Sequence, residues 1–265
     1  ASLRMLSAGL VLLPFAIKAF RKIPKDKMGL VIVSGLVGNF IPAYLFCIAE
    51  TRIDSALAGI LNSLTPLFTI IVGVVFYKVQ TTAIKFLGIL IGFIGLTFLM
   101  LTGKEMHFDH LSYASLVLVA TFMYGINVHT VGRYLKEIGS IQIASVAFSF
   151  LILPSAAVLY FTGYFNNDFS DPLVIHSTLT SGVLGMVGTS MASILFYYLV
   201  KKAGILFGSL VTYGIPVVAV AWGIGFGESL APLQVVCLGV ILFGVYIVNR
   251  GNLNFLSFLK QKDPQ

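Results

Sequence analysis

The sequence predicts an all-α polytopic membrane protein made of two inverted-topology repeats of five helices, with nine of the ten helices present. Three observations carry that prediction: an apolar composition, apolar runs of one recurring length, and a self-similarity at a shift of 150 residues. The 265 residues are 58% hydrophobic and 10% charged, with a mean hydropathy of +0.98. Soluble domains carry about 25% charged residues, enough to cover a wetted surface, and disordered chains carry more charge still. This chain has too little charge for either state, so its main solvent is lipid.

A membrane-crossing helix needs about 20 apolar residues. The apolar runs fall at 2–20, 28–49, 55–76, 82–102, 112–132, 141–163, 175–198, 205–226 and 232–249. Short polar breaks separate them: Arg21 to Lys27, Glu50 to Asp54, Tyr77 to Thr81, Gly103 to His110, Arg133 to Ser140, Asn166 to Pro172, Lys201-Lys202 and Gly227 to Ala231. An unpaired amide in hydrocarbon costs several kcal/mol, so each run must close its own hydrogen bonds as a helix. A β-barrel would alternate in segments of about ten residues instead. The run at 5–17 has no small-residue cleavage site after it, which argues against a cleaved signal peptide.

The net charge of +7 reads as topology and not as a nucleic-acid surface. With the 21–27 break inside, alternate segments hold Lys18, Arg21, Lys22, Lys25, Lys27, Lys78, Lys85, Arg133, Lys136, Lys201, Lys202, Arg250, Lys260 and Lys262, which is 14 of the 17 basic residues. Arg4, Arg52 and Lys104 fall outside. Cytoplasmic loops are enriched in Lys and Arg, so the C-terminus is expected in the cytoplasm.

Shifted by 150 residues, Val37-Gly38 meets Val187-Gly188, Leu45-Phe46 meets Leu195-Phe196, Pro66 meets Pro216, and Gly73 meets Gly223. A shift of 140 pairs Leu13-Pro14 with Leu153-Pro154. The expected organisation is a first repeat at 1–103, a second at 104–250 and a cytoplasmic tail at 251–265. The second copy has five runs and the first has four, so the counterpart of 112–132 is expected upstream of Ala1. Five helices per copy is an odd number, so the copies insert in opposite orientations. Secondary transporters use that design around a midplane site.

The residues from Gly188 through Leu195-Phe196-Tyr197-Tyr198, Lys201-Lys202-Ala203-Gly204 and Pro216 to Gly227-Glu228, continued by Gln234, Gly239 and Gly244-Val245-Tyr246, resemble the second EamA repeat of the drug/metabolite transporter superfamily. The resemblance covers nearly the whole chain. It implies ten helices, both termini in the cytoplasm and a central cavity lined by both repeats. It also implies transport of small metabolites, often amino acids and frequently as export, across the plasma membrane, which for a bacterium is the inner membrane. Two departures stand out: the first helix is absent, and Lys78 stands where the second repeat has Glu228.

Polar side chains at midspan are costly in lipid, so they are the candidates for a substrate cavity. They are Asn39, Asn62, Tyr124, Asn127, Thr189, Ser193, Thr212 and Tyr213. Asn62, Pro66 and Thr69 form one ridge at i, i+4, i+7, and Thr189, Ser193 and Tyr197 form another. The repeat pairs Asn39 with Thr189 and Asn62 with Thr212. The competing role is interhelical bonding or back-bonding to the helix's own carbonyls. Pro66 and Pro216 remove a backbone bond and are candidate hinges. His129, near a span end, reads as an interfacial histidine.

No carboxylate or basic residue stands at midspan. A proton-coupled carrier of cationic drugs wants a carboxylate there, and a nucleotide-sugar carrier wants fixed cations against the phosphate. A neutral or zwitterionic cargo therefore fits best, with those two carriers as alternatives within the superfamily. An integral membrane enzyme is the reading from another class. It lacks HExxH and CxxC, and His107 with His110 and Asp109 has no further ligands. No metal or cofactor is expected, and the partners are the lipid bilayer and a small molecule. Cys47 and Cys237 read as small packing residues. The glycine pairs Gly88/Gly92 and Gly204/Gly208 fit close packing inside the bundle, so a monomer is expected.

Overall fold

The structure is a computed structural model that describes residues 1–53, 55–101, 111–215, 218 and 232–260. The described residues are helical, with no strand among them. The helices are α1 (Ser2–Phe20), α2 (Lys25–Ala49), α3 (Ser55–Asn62), α4 (Thr65–Tyr77), α5 (Ala83–Leu101), α6 (Leu111–Tyr134), α7 (Ser140–Phe161), α8 (Pro172–Ala203), α9 (Ile205–Ser209) and α10 (Pro232–Lys260). Six stretches among the described residues are long and apolar enough to cross a membrane, and α5 and α10 add shorter apolar cores at Ala83–Leu99 and Val235–Val248. The chain is a polytopic membrane protein.

The helix ends follow local chemistry. Asp171 caps α8 by accepting from the Leu173 amide at 2.9 Å, ahead of Pro172, where a missing N–H is harmless. Gly204 ends α8 with φ +99°, a conformation that favours glycine. The sequence pairing of Gly204 with Gly208 as a packing stripe is therefore corrected: Gly204 is a helix stop.

Two units are compact, and each draws on both halves of the sequence. The first comprises Ala1–Cys47 and Ile126–Ile205, the second Ile48–Gly125 and Leu206–Gln265.

In the first unit, Met5, Ala8, Leu12, Ala16 and Ala19 recur at helical spacing along one buried face of α1. They share a core with Ala144, Ala147, Phe148 and Leu151 of α7. A Cβ on Gly9 would stand 2.6 Å from Ile152 Cγ1 and 2.7 Å from the Phe148 carbonyl oxygen. Lipid supplies little hydrophobic drive between helices, so such close contact of small residues does the work. Pro14 and Pro154, paired by the 140-residue shift, both sit inside these two helices. Leu13, Phe15 and Ile17 point outward, as lipid permits.

The second unit packs α5 against α10. A Cβ on Gly244 would lie 2.5 Å from the Gly92 nitrogen and 2.6 Å from the Gly88 oxygen. The Gly88/Gly92 stripe thus receives another helix of its own unit. Ile89, Leu96 and Leu99 bury with Leu210, Cys237, Ile241 and Val248. Cys237 is packed as the sequence suggests, whereas Cys47 is exposed, because it lies on the outward face of α2.

Two helices change winding. Leu36–Phe40 in α2 and Leu184–Thr189 in α8 are π-helical. Moved by 150 residues, the first segment falls on 186–190 and overlaps the second. π-Turns are rare and concentrate at functional sites.

Candidate functional site

Within the first unit, five uncharged polar side chains from three helices form one hydrogen-bonded cluster. Ser34 and Asn39 come from α2, Asn127 from α6, and Ser193 and Tyr197 from α8. Ser34 Oγ donates to Asn127 Oδ1 at 2.6 Å. Asn39 Nδ2 donates to the Tyr197 hydroxyl at 3.0 Å, and Ser193 Oγ donates to Asn39 Oδ1 at 3.4 Å. The Tyr197 hydroxyl stands 3.5 Å from Ser34 Oγ, at the edge of bonding distance. Ser34 is 0% exposed, Tyr197 1% and Asn127 3%, while Asn39 is half-buried.

The π-turn explains how Ser34 and Asn39 serve the same cluster. Five residues of α-helix at about 100° each would set them about 140° apart. A turn closed by i→i+5 bonds brings such positions back to one side. Inside that turn, a Cβ on Gly38 would overlap the Asn127 amide. The bare glycine backbone leaves the space in which the amide reaches Ser34.

Of the sequence candidates, Asn39, Asn127 and Ser193 therefore come together, joined by Tyr197 from the predicted ridge. Ser34 escaped notice because its alignment with Asn39 depends on winding that a 3.6-residue period does not describe. Thr189 lies within the second π-segment, and its hydroxyl turns back to the Leu184 carbonyl at 3.3 Å.

Asn62, Tyr124, Thr212 and Tyr213 belong to the second unit. Asn62 stands at the break between α3 and α4, where its carbonyl accepts from Thr65 Oγ1 at 2.6 Å. Thr212 back-bonds to the Ser209 carbonyl at 3.0 Å. Tyr213 is buried, and its hydroxyl donates to the Ile89 carbonyl at 3.0 Å. Its ring lies where a Cβ on Gly92 would meet Cε2 at 2.7 Å, so the side chain packs one helix on another. Tyr124 is half-buried on α6, just before the chain passes from the second unit to the first.

Pro66 occupies the first turn of α4, so the helix is broken ahead of it and not kinked at it. Its missing N–H falls where no intrahelical bond is needed. His129, in the last turns of α6, is 3% exposed. Pro216 and Glu228, with His107, Asp109 and His110, lie outside the described residues.

An uncharged cluster of this kind offers donors and acceptors without a fixed charge. It can exchange its bonds for those of a polar solute at low electrostatic cost, because no ion has to be desolvated.

Comparison with known proteins agrees with this architecture. The chain matches the EamA-like transporter family over residues 1–101 and 111–250. It is 26% identical over 261 residues to an uncharacterized inner membrane transporter of Escherichia coli K12, YedA, covering 96% of this chain and 82% of the relative. An uncharacterized transporter of Archaeoglobus fulgidus is 27% identical over 221 residues, covering 83% of this chain and 77% of that one. The Bacillus subtilis uncharacterized transporter YdfC is 25% identical over 268 residues, covering 99% and 86%. One crystal structure superposes with a TM-score of 0.70 at 15% identity, over 93% of this chain and 84% of that chain, a likeness of fold.

Proposed function

The chain belongs to the EamA-like transporter family, and from that premise we propose that it moves small neutral or zwitterionic metabolites, amino acids first among them, by alternating access. Export is the proposed direction, the bacterial inner membrane the proposed location, and the cytoplasm the side of the C-terminus. The observation that carries the cargo class is the uncharged cluster of Ser34, Asn39, Asn127, Ser193 and Tyr197. A phosphate-bearing cargo would need fixed cations to hold it, and a cationic drug a carboxylate; the cluster supplies neither. Amide and hydroxyl groups suit the carboxylate and ammonium of a zwitterion, whose net charge is zero.

Two observations support an inverted repeat as the scaffold. The π-segments at Leu36–Phe40 and Leu184–Thr189 overlap under the 150-residue shift, and Pro14 and Pro154 correspond under the 140-residue shift. A π-turn interrupts the regular i→i−4 ladder, so it is a natural place for a helix to flex during a transport cycle.

Radiolabelled flux across proteoliposomes, read with a panel of amino acids, sugars, nucleotide sugars and cationic dyes, tests the reading. Uptake or efflux of a zwitterion that is lost in Asn127→Ala, with the protein still folded, is the expected result. Movement of only a phosphorylated or cationic compound would overturn the cargo class. Unchanged flux in both Asn39→Ala and Asn127→Ala would reduce the cluster to interhelical bonding.

A further inference from the structure

A second feature of the first unit shares no residue with the polar cluster. Between the loop that leads into α7 and the lysine-bearing end of α8 lies an open cleft of about 880 Å³, a volume within the usual range for a ligand site. Lys136, Lys201 and Lys202 line it, and no acidic residue does. Glu137, exposed and next in the chain to Lys136, is not among its walls.

The lysines are not equivalent. Lys201 Nζ donates to the Ile138 carbonyl, which ties the end of α8 to the loop before α7. Lys202 holds its ammonium 6.0 Å from the centre of the Tyr198 ring. Lys136 is exposed on the facing loop.

Beside Gly139, Ser140 and Gln142, the rest of the wall is apolar, and three of its side chains face outward. Ile141 is 50% exposed, Leu195 60% and Tyr198 55%. On a membrane helix such side chains meet hydrocarbon, with aromatic and basic residues at the headgroup level. One cleft therefore joins an anion-seeking end to an aliphatic wall. A free phosphate would use the first and leave the second empty, while a neutral lipid would do the reverse.

We propose that this cleft binds an anionic phospholipid, its phosphodiester against Lys136, Lys201 and Lys202 and its acyl chains along Ile141, Leu195 and Tyr198. Basic pockets between membrane helices on the cytoplasmic side hold such headgroups, and the charge pattern puts these lysines on that side. The site fastens the start of α7 and the end of α8 to one leaflet, and α8 also carries Ser193 and Tyr197.

Native mass spectrometry of the purified chain in neutral detergent tests this with phosphatidylglycerol, phosphatidylcholine and inorganic phosphate as probes. Phosphatidylglycerol is expected to stay bound and raise the melting temperature, and the other two are not. K136Q/K202Q should weaken phosphatidylglycerol retention about 30-fold, from the loss of two lysine–headgroup attractions. Lys201 is left in place because it holds the loop. K22Q/K25Q, which removes two exposed lysines of another break, should change retention less than twofold.

Leu195→Gln is an independent arm and should weaken retention with the lysines intact. Equal losses in K136Q/K202Q and K22Q/K25Q would mean diffuse surface charge and overturn the site. Equal retention of phosphatidylcholine, or equal stabilisation by inorganic phosphate, would overturn the lipid as its occupant. Full retention in both K136Q/K202Q and Leu195→Gln would end the proposal.

Discussion

Removing one oxygen atom, in Tyr197→Phe, probes the polar cluster most directly. The ring is 1% exposed, and Phe keeps its shape and packing, so only the hydroxyl chemistry changes. That hydroxyl accepts from Asn39 Nδ2 at 3.0 Å. Side-chain hydrogen bonds between membrane helices average about 0.6 kcal/mol and reach about 1.7. A buried donor left without its acceptor adds a desolvation cost of about 1–3 kcal/mol. Asn39 is only half-buried, which lowers that second contribution. Together they put Tyr197→Phe at about 1–2 kcal/mol of destabilisation.

The assay is reversible unfolding by SDS titration in mixed micelles, on the parent, Tyr197→Phe, Asn39→Ala and the double variant. Because both partners serve one bond, the double variant should be less destabilised than the sum of the singles, by about 1 kcal/mol. Additivity within about 0.3 kcal/mol, the behaviour of independent sites, would refute the bond. A Tyr197→Phe protein as stable as the parent would refute the energetic reasoning even if the geometry were right.

Three further outcomes are expected. Gly38→Ala should push the Asn127 amide off Ser34 at a cost of about 1 kcal/mol; adding Asn127→Ala should then cost less than it does alone, which the same unfolding cycle measures. Gly244→Ala should destabilise by about 1–3 kcal/mol, since its Cβ would sit 2.5 Å from backbone and force α5 and α10 apart. Ser155→Ala should be neutral or stabilising by up to about 1 kcal/mol, because the Ser155 hydroxyl is buried with no hydrogen-bond partner among the described residues; clear destabilisation would show that it has one.

Among the described residues, the membrane-crossing helices were legible in the sequence for a physical reason. Hydrocarbon forces each apolar run to satisfy its own backbone, so span and break are written locally, residue by residue. The seventh run, read as 175–198, is α8 at Pro172–Ala203, and the sixth, read as 141–163, is Ser140–Phe161. Polar residues in apolar runs are equally conspicuous, which is why Asn39, Asn127 and Ser193 could be named in advance. The same criterion also picked Thr189 and Thr212, whose hydroxyls return to their own helices. Composition cannot tell a hydroxyl that bonds its neighbour from one that bonds its backbone. The last helix likewise runs through to Lys260, past the end of its apolar stretch, because polar residues continue a helix without any hydropathy signal.

What the sequence determined by itself, then, is the solvent, the helices and the uncharged polar groups within them, since each follows from one side chain and its few neighbours. The tertiary structure decided which of those groups meet. Ser34 joins Asn39 through a π-turn, and Gly38 matters through the amide of a residue 89 positions away in the numbering. The units themselves are assembled from both halves of the chain. Such partnerships depend on winding and on contact between distant segments, and a period of 3.6 residues along one segment carries no information about either.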